Sequence, residues 1–438
     1  MTTIGLHYFP DESHYRAVDL QAWLPELRAL GAQWLTLAGS LTRAVPEPFI
    51  RGLIEAGIAP VVHIPATPIR LVDLPTLEPL LKTYARWGVR YVVLFSEPNA
   101  RAAWSPSDWG RTALVERFLD ALLPALQAQA EAGLQPVFPP LKAGGEYWDT
   151  GFLEAALAGM ARRGQSDLAQ QLTFAVNLWT FNRTTDWGAG GLKRWPEAKP
   201  YLTPPGSQDQ RGFRLFDWYT EIIQDRLGEA RPLLCLAGGP RLGDQTDPAF
   251  PPVDEARHTS CTQEIVRAAL GGALPTHLLN VNFWMLGASE GSPFTQDAWY
   301  RGNGSTLAAV DVLKRHAILS DTPGAAQRAN GKVPDLERLA GQPKTIQHYL
   351  LLPTFEWGVS EWHWNAALAF VKMHRPACGF SVEEAGLAQR VTIFGNEQGV
   401  SREVEMALRQ AGCRVERLQV TGGKKERDQA VNGWSGGL

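Results

Sequence analysis

The chain alternates short apolar segments with amphipathic helical segments, and no other feature limits its possible folds as strongly. Several helical segments end in a glycine that leads directly into the next apolar run, as Gly31, Gly57 and Gly88 do. A glycine at this point supplies the left-handed residue that often follows a helix. Repeated strand–helix alternation of this kind is typical of a parallel β/α architecture.

Eight segments have the composition and length of buried parallel strands. They span 3–9, 32–39, 59–65, 89–97, 134–140, 172–180, 231–239 and 277–286. The first is followed by HYFPDESHY, not by the glycine-rich loop of a dinucleotide-binding domain. Eight such units within about 300 residues predict a (β/α)8 TIM barrel over 1–320, in preference to an open sheet.

The last quarter of the chain predicts a second, smaller domain. The polar segment 321–344 contains glycine and proline and is expected to be a linker. Strand-like runs at 345–353, 390–395 and 413–420 then alternate with helical segments at 359–374 and 401–412. Ser401 is placed to cap the last of these helices. We expect a small α/β, Rossmann-like domain over 345–421 and a disordered tail over 422–438.

Charge and hydropathy argue against two kinds of partner. The formal net charge of -3 and the short basic runs give no general attraction to nucleic acid or to an anionic membrane. No apolar run approaches the ~20 residues that span a bilayer. The start of the chain, MTTIGLHYFP, carries no secretion signal, so we expect a cytoplasmic location, with a trimmed secreted form left open.

The tryptophan content points toward a ligand with a flat face, and the cysteine spacing argues against a metal site. The 16 tryptophans exceed what a core needs, and flat aromatic faces suit sugar rings or nucleobases. The four cysteines are not at metal-ligand spacing, so we expect neither a metal nor an organic cofactor. The sequence gives no indication of oligomeric state.

Glu97 is the sharpest candidate for chemistry. In a (β/α)8 barrel the active site forms at the carboxyl ends of the strands. Glu97 directly follows the apolar run 91–95, and Pro98 ends the strand there. A half-buried carboxyl has a raised pKa and suits a general acid. The alternative is a structural ion pair with a residue such as Arg101.

Other polar and aromatic side chains fall at the ends of the remaining strands. We expect these to line the cleft and to bind substrate: His7, Tyr8, His63, Ser96, Asn99, Trp148, Asn177, Trp179 and Trp284. Each has a structural alternative, such as a satisfied core histidine or a tryptophan that plugs the barrel mouth. Lys142, after the fifth strand, leaves open a Schiff-base enzyme such as an aldolase or lyase.

The first three quarters of the chain resemble the large clan of (β/α)8 retaining glycoside hydrolases, which includes many cellulases, β-galactosidases and β-xylosidases. Members of that clan end strand four in Asn-Glu-Pro, and this chain has Ser96-Glu97-Pro98. The resemblance implies that Glu97 is the acid/base and that Trp284 is a sugar platform after strand eight. Serine replaces the asparagine that usually binds the sugar 2-hydroxyl, so that contact is not expected in the same form.

The chain departs from the clan at strand seven. The clan places its nucleophilic glutamate at the end of that strand, whereas LLCLAGGPRLGD has Ala237 there, followed later by Arg241. One explanation is a parent protein with glutamate at 237, which hydrolyses a β-linked glycan with retention. Another is a natural, non-catalytic glycan-binding protein. A third is that Glu146, Asp186 or Asp244 acts as the second carboxylate.

Overall fold

The computed structural model describes residues 2–321, 344–352, 361–395 and 400–418. The chain divides into two compact units, residues 1–317 and 318–438. Nearly all of the predicted linker at 321–344 and all of the predicted tail at 422–438 lie outside the described residues. Those two assignments stay predictions.

Eight parallel strands form one sheet in the first unit. They are β1 (Thr3–His7), β2 (Trp34–Ala38), β3 (Ala59–Ile64), β4 (Tyr91–Leu94), β5 (Val137–Phe138), β6 (Thr173–Trp179), β7 (Leu233–Gly239) and β8 (Asn280–Phe283). Their order is β4-β3-β2-β1-β8-β7-β6-β5. The two outermost strands meet, because Tyr91 of β4 pairs in parallel with Gln135 just before β5. The sheet is therefore closed, and the predicted TIM barrel is confirmed.

All eight predicted strands are present, although several are shorter than predicted. The fifth is reduced to two residues because prolines at 136, 139 and 140 have no N–H to pair. The fourth ends at Leu94, since Phe95 adopts a positive φ of 67° and leaves the extended conformation. The eighth covers Asn280–Phe283 and not the whole of 277–286.

Helices connect the strands and cover the outside of the barrel. They are α1 (Ala17–Ala29), α2 (Glu47–Glu55), α3 (Leu74–Arg86), α4 (Pro106–Trp109), α5 (Leu114–Glu131), α6 (Asp149–Arg162), α7 (Ser166–Gln170), α8 (Gly191–Arg194), α9 (Leu215–Leu227), α10 (Glu255–Leu270) and α11 (Ala308–Asp321). Their apolar faces pack on the outer face of the strands, as Phe49 and Leu53 of α2 do in the same core as Leu35. Within the described ranges, no helix is both long and apolar enough to cross a membrane.

The inside of the barrel holds its own apolar cluster. Its members are Val61, Tyr91, Val93, Val137, Ala175, Leu234 and Leu236. A chain of buried hydrogen bonds lies alongside: the Asn282 amide donates to the Thr36 hydroxyl at 2.8 Å, which donates to the Leu236 carbonyl at 2.8 Å. Asn280 bonds both backbone groups of Cys235, at 3.0 and 2.8 Å. Because β2 and β7 are not neighbours, this network ties strands together across the interior.

The second unit is a smaller parallel sheet. Its strands are β9 (Ile346–Leu351), β10 (Ala377–Gly379), β11 (Ala388–Phe394) and β12 (Arg414–Leu418), in the order β10-β9-β11-β12. Its described helices are α12 (Glu361–His374), α13 (Val382–Ala385) and α14 (Arg402–Gln410). This strand order is typical of doubly wound sheets and confirms the predicted α/β domain. The Ser401 hydroxyl accepts the Val404 N–H at 3.4 Å, so the predicted cap is present.

Gly5 of β1 lies where a side chain has no room. A Cβ at this position would come within 2.2 Å of Asn282 Oδ1 and 2.4 Å of the Trp34 carbonyl oxygen. Because the carbonyl belongs to the paired strand, it cannot turn aside. We expect Gly5→Ala to lower the free energy of unfolding by about 3 kcal/mol. Urea unfolding followed by circular dichroism measures the change. The control is Gly302→Ala, where no atom lies within 4 Å; equal losses in both variants would contradict the packing argument.

Candidate active site

Successive side chains of a strand point to opposite faces, and this alternation determines which residues face the barrel interior at the carboxyl end of each strand. A residue two positions beyond an interior residue faces the interior as well. By this rule His7, His63 and Asn177 face inward from β1, β3 and β6, and Trp284 follows β8. The rings of His7 and Trp284 are in contact, with centroids 4.6 Å apart. Predicted site residues from four strands thus meet at one rim.

Glu97 lies in a firmly held loop after β4. Its N–H donates to the Pro140 carbonyl at 2.9 Å, and its own carbonyl accepts the Ala100 N–H at 2.8 Å. Phe95 and Glu97 both have positive φ, 67° and 49°. Each such conformation costs a residue other than glycine about 1 kcal/mol. Strained backbone of this kind is concentrated at functional sites, and it supports Glu97 as a functional residue.

The surroundings of Glu97 favour its protonated form. Burial raises the pKa of its carboxyl above the ordinary range, while the Lys142 charge and the nearby Asn177 amide lower that pKa in part. The negative charge of Glu146 raises the pKa again. Lys142 Nζ and Glu146 Oε1 lie 3.6 Å apart as an ion pair. A carboxyl that keeps its proton to higher pH can act as a proton donor.

Ala237 faces the barrel interior because β7 contains an extra residue. One step along β6, from 176 to 177, is matched by two steps along β7, from Cys235 to Ala237. Such a β-bulge lets both Leu236 and Ala237 point inward, and Leu236 packs in the interior cluster. Ala237 pairs with Asn177, on a neighbouring strand about 4.8 Å away. The Asn177 amide in turn is near enough to the Glu97 carboxyl to lower its pKa.

Two neutral histidines complete the interior of the rim. Burial lowers the pKa of His7 to about 3 and that of His63 to about 4. His63 Nε2 lies 3.1 Å from the Phe95 carbonyl oxygen, which can only accept, so Nε2 carries the proton and Nδ1 is an acceptor. His7 Nδ1 is buried and makes no hydrogen bond of standard geometry with any described residue. Neutral imidazoles can bind the hydroxyl groups of a polar ligand.

Trp179 and Trp284 form an aromatic wall at the ends of β6 and β8. Their ring centroids lie 6.0 Å apart at an interplanar angle of 82°. Asp297, in the loop after β8, accepts hydrogen bonds from Trp284 Nε1 at 3.3 Å and from Arg241 Nη2 at 2.7 Å. Sequence reasoning missed Asp297, which lies 13 residues beyond Trp284 and belongs to no motif that could have revealed it.

The structure separates Tyr8 from the rest of the predicted site. Tyr8 directly follows His7, so it points to the outer face, where it is fully buried against Tyr15 and Phe49. Its hydroxyl donates to the His14 carbonyl at 3.0 Å. Adjacent residues of a regular strand cannot both face the barrel interior. The expectation that Tyr8 binds substrate is corrected on this ground.

Asn99 and Trp148 hold neighbouring loops together. The buried Asn99 amide donates to the carbonyls of Lys142 and Tyr147 at 2.8 and 2.9 Å, and its oxygen accepts the Lys142 N–H at 2.8 Å. Both amide hydrogens of Asn99 are therefore used within the protein. Trp148 is 7% exposed and contacts Tyr201. Ser96 is partly exposed beside Glu97. For Ser96 and Trp148, substrate binding stays a prediction.

The three alternative carboxylates are differently placed from Glu97. The Glu146 side chain is 47% exposed and paired with Lys142. Asp244 accepts the N–H and hydroxyl of Thr246, at 2.9 and 2.6 Å, within its own turn. Asp186 is exposed. None of these three is a buried carboxyl facing the interior.

One buried carboxyl near the rim serves the fold. Asp149 accepts hydrogen bonds from the Gly144 N–H at 2.8 Å, the Gln210 amide at 2.6 Å and the Tyr219 hydroxyl at 2.9 Å. These donors come from the loop after β5, the loop before α9 and α9 itself. Asp149 therefore fixes that loop against α9, and its oxygens are already engaged.

Two surface cavities lie among loops at the same end of the barrel. One of about 430 Å³ is bounded by residues that include Phe95 and Ala66, and one of about 590 Å³ by residues that include Tyr15 and Arg43. Neither is lined by Glu97 or Ala237. We therefore locate the candidate site at the carboxyl ends of the strands and not in either cavity. In the part of the chain that the structure describes, no group of three or more His, Cys, Asp or Glu residues could hold a metal ion.

Several solved structures are distantly similar to the chain. No family model and no curated protein matches it. A family 39 glycoside hydrolase from the gut symbiont Bacteroides cellulosilyticus WH2 is 12% identical over 73% of this chain and 64% of its own, just under two thirds of its length, with a TM-score of 0.49. A GH39 β-xylosidase from Caulobacter crescentus is 12% identical over 72% of this chain and 71% of its own, with a TM-score of 0.45. An L-ribulose 3-epimerase is 13% identical over 75% of this chain and 97% of its own, with a TM-score of 0.41. We take the fold from the strand order and argue the chemistry from the rim residues.

Substitutions at Lys142 and Glu146 should move the titration of Glu97 in opposite directions. Lys142→Gln removes a positive charge that lowers the pKa of Glu97, so that pKa should rise. Glu146→Gln removes a negative charge that raises it, so the pKa should fall. Carbon-13 NMR of labelled glutamate carboxyls reports the titration, and Glu97→Gln identifies the resonance. Shifts of the same sign in the two variants would contradict this electrostatic account.

Replacing His7 should make the fold less sensitive to acid. The unfolded chain binds a proton at His7 near pH 6.5, whereas the folded protein does not until about pH 3. Stability from this difference is therefore present above pH 6.5 and is lost as pH falls toward 3. Between pH 7.5 and 5 the parent should lose about 2 kcal/mol through His7, a loss that His7→Asn avoids. Urea unfolding at both pH values tests this, and an unchanged pH dependence in the variant would refute it.

Proposed function

We propose that the barrel is a glycoside hydrolase of the retaining type, acting on a β-linked oligo- or polysaccharide, with alanine at its nucleophile position in this chain. One observation carries the proposal: Glu97 and position 237 have Asn177 as a common neighbour on the interior face. Retaining hydrolysis needs two carboxyls about 5–5.5 Å apart. A glutamate at 237 would project from the strand beside Asn177 toward the same space as Glu97.

Glu97 has the properties of the proton donor. Its raised pKa keeps a proton available, which passes to the glycosidic oxygen as the bond to the leaving sugar breaks. The same carboxylate then takes a proton from the water that attacks the anomeric carbon. The hydrogen bonds on either side of Glu97 fix its main chain, so the carboxyl is held in place for both steps.

Position 237 would supply the nucleophile. A carboxylate there attacks the anomeric carbon from the face opposite the leaving group, and the covalent glycosyl–enzyme is later hydrolysed by water. The methyl group of Ala237 cannot attack. We therefore expect this chain to bind its substrate without turning it over by the retaining route.

The remaining rim residues suit a sugar. The neutral imidazoles of His7 and His63 and the amide of Asn177 can exchange hydrogen bonds with hydroxyl groups. Trp179 and Trp284 offer ring faces to the apolar side of a pyranose. A few polar groups set among aromatic walls are typical of a small-molecule site. We place the sugar at these five side chains.

A second candidate is a glycan-binding protein without catalytic activity. It is favoured by Ala237 itself and by the exposed or engaged state of Glu146, Asp186 and Asp244. In such a protein Glu97 would act as a hydrogen-bond partner for a sugar hydroxyl. The two candidates differ in whether restoring one carboxylate restores turnover.

Ala237→Glu should create glycosidase activity. We expect kcat/KM on activated aryl β-glycosides to rise on the order of a thousandfold or more, because the missing nucleophile is supplied. Release of the phenolate leaving group measures the rate. Ala237→Gln, of the same size but unable to attack, is the matched control. Activity in the Gln form, or none in the Glu form on aryl glycosides and on longer β-glucans and xylans, would favour the binding protein.

Azide should replace the missing carboxylate in the unsubstituted chain, which has Ala237. It is small enough to attack the anomeric carbon from the side of Ala237, the phenolate leaves, and the product is the α-glycosyl azide. We expect azide-dependent release of the phenol, with the product identified by mass spectrometry and by its NMR coupling constant. Formation of the β-glycosyl azide would mean that azide attacks from the face opposite Ala237, and it would contradict the role of position 237.

A further inference from the structure

Arg241 stands at the mouth of the barrel, two residues beyond the end of β7. Its Nε and Nη2 donate to Asp297 Oδ2 at 3.2 and 2.7 Å. The side chain of Asp297 is 1% exposed, whereas that of Arg241 is 38% exposed. A buried carboxylate thus holds an arginine that itself remains open to solvent.

The guanidinium also contacts two aromatic rings. Its central carbon lies 5.8 Å from the centroid of Trp179 and 6.0 Å from that of Phe294. Trp284 donates to the same oxygen of Asp297. Arginine normally loses much side-chain freedom on binding a ligand, and here that freedom is already restricted in the free protein.

The contacts leave one edge of the guanidinium available. The group has five N–H donors arranged as forks, and Asp297 occupies the edge formed by Nε and Nη2. No described residue accepts a hydrogen bond from Nη1, so the edge formed by Nη1 and Nη2 is free for a second acceptor. Asp297 Oδ1 is buried without a hydrogen-bond partner among the described residues. The pair is therefore arranged side-on and not as a closed bidentate bridge.

The free edge lies close to the proposed sugar site. Trp179 is two residues beyond Asn177 on β6, a step of about 6.6 Å along the strand. The Asn177 amide is near enough to Glu97 to lower its pKa, and the Arg241 guanidinium contacts the Trp179 ring. The guanidinium therefore lies beside Trp179, one of the side chains at which we place the sugar.

We propose that Arg241 binds an anionic group carried by the glycan, a carboxylate of an acidic sugar or a sulfate ester. This inference rests on the proposed function, because it assigns the class of sugar to the same site. Planar, forked recognition of an oxyanion is the geometry for which arginine is best suited. A neutral glycan would leave the free edge without a charged partner.

Binding to the unsubstituted chain tests this directly. Because residue 237 is alanine, the bound glycan should not be hydrolysed by the retaining route during the measurement. Isothermal titration calorimetry would compare acidic oligosaccharides, the same oligosaccharides with each carboxyl reduced to a hydroxymethyl group, and sulfated oligosaccharides. We expect the acidic or the sulfated form to bind at least about tenfold more tightly than its neutral counterpart, as for a charge-assisted hydrogen bond. Whichever of the two binds more tightly identifies the anion.

Arg241→Gln should abolish that preference, so that the charged and neutral forms bind with about equal affinity. Arg241→Lys keeps the charge but loses the fork, so it should restore part of the preference. Arg28→Gln, an exposed change of equal charge in the last turn of α1, is the control and should bind as the parent does. Thermal unfolding of each variant checks that it is folded.

Three outcomes would overturn the inference. Equal or tighter binding of neutral glycans, lost in Glu97→Gln, would leave the proposed function standing and remove the role of Arg241. No binding of any glycan, together with an inactive Ala237→Glu form, would remove both. Unchanged selectivity in a folded Arg241→Gln variant would also refute the assignment.

Discussion

The pairing of Tyr91 with Gln135 closes the parallel sheet, and the candidate site depends on that closure. Glu97 follows β4, while Pro140, Lys142 and Glu146 follow β5, so most of the groups that hold and tune Glu97 come from the two strands that the closure joins. In an open sheet with the same strands, Glu97 would stand at a free edge in water. Its burial, and with it the raised pKa of the carboxyl, would be lost.

Charge is distributed around the rim in a consistent way. The interior groups are neutral or favour neutrality, as with His7, His63 and Glu97. Full charges lie further out and in pairs, such as Arg241 with Asp297. Burying an unpaired charge is costly, whereas neutral donors and acceptors can be buried when a ligand or the protein satisfies them. The rim is therefore suited to a polar ligand that brings hydroxyl groups to its centre.

Much of this organisation could be predicted from the sequence. Strand–helix alternation predicted the barrel, and position at a strand end predicted that Glu97, His7, Asn177 and Trp284 lie at its rim. What sequence could not supply was the orientation of individual side chains. Tyr8 was grouped with His7 although a regular strand turns adjacent residues to opposite faces. The role of Asp297 depends on how a long loop folds back on Arg241, which no local pattern records.

Other misses have similar physical causes. Asn99 looks like a binding residue by its position after Pro98, yet its amide joins two loops whose approach is set by closure of the barrel. β10 has three residues, too few for an apolar pattern to be visible. β5 was predicted over 134–140, but the prolines in that run lack the N–H that strand pairing needs, and the strand is limited to Val137–Phe138.

The bulge in β7 has a consequence for how this barrel could change during evolution. A regular strand gives the interior one side chain in every two, so each inward residue must both fill space and carry whatever chemistry the site needs. β7 gives two in succession, and Leu236 fills the interior while Ala237 beside it does not belong to that cluster. Filling the interior is thereby left to Leu236, and residue 237 is not bound by that requirement. The identity of residue 237 can drift between acid and methyl while the fold that presents it stays the same.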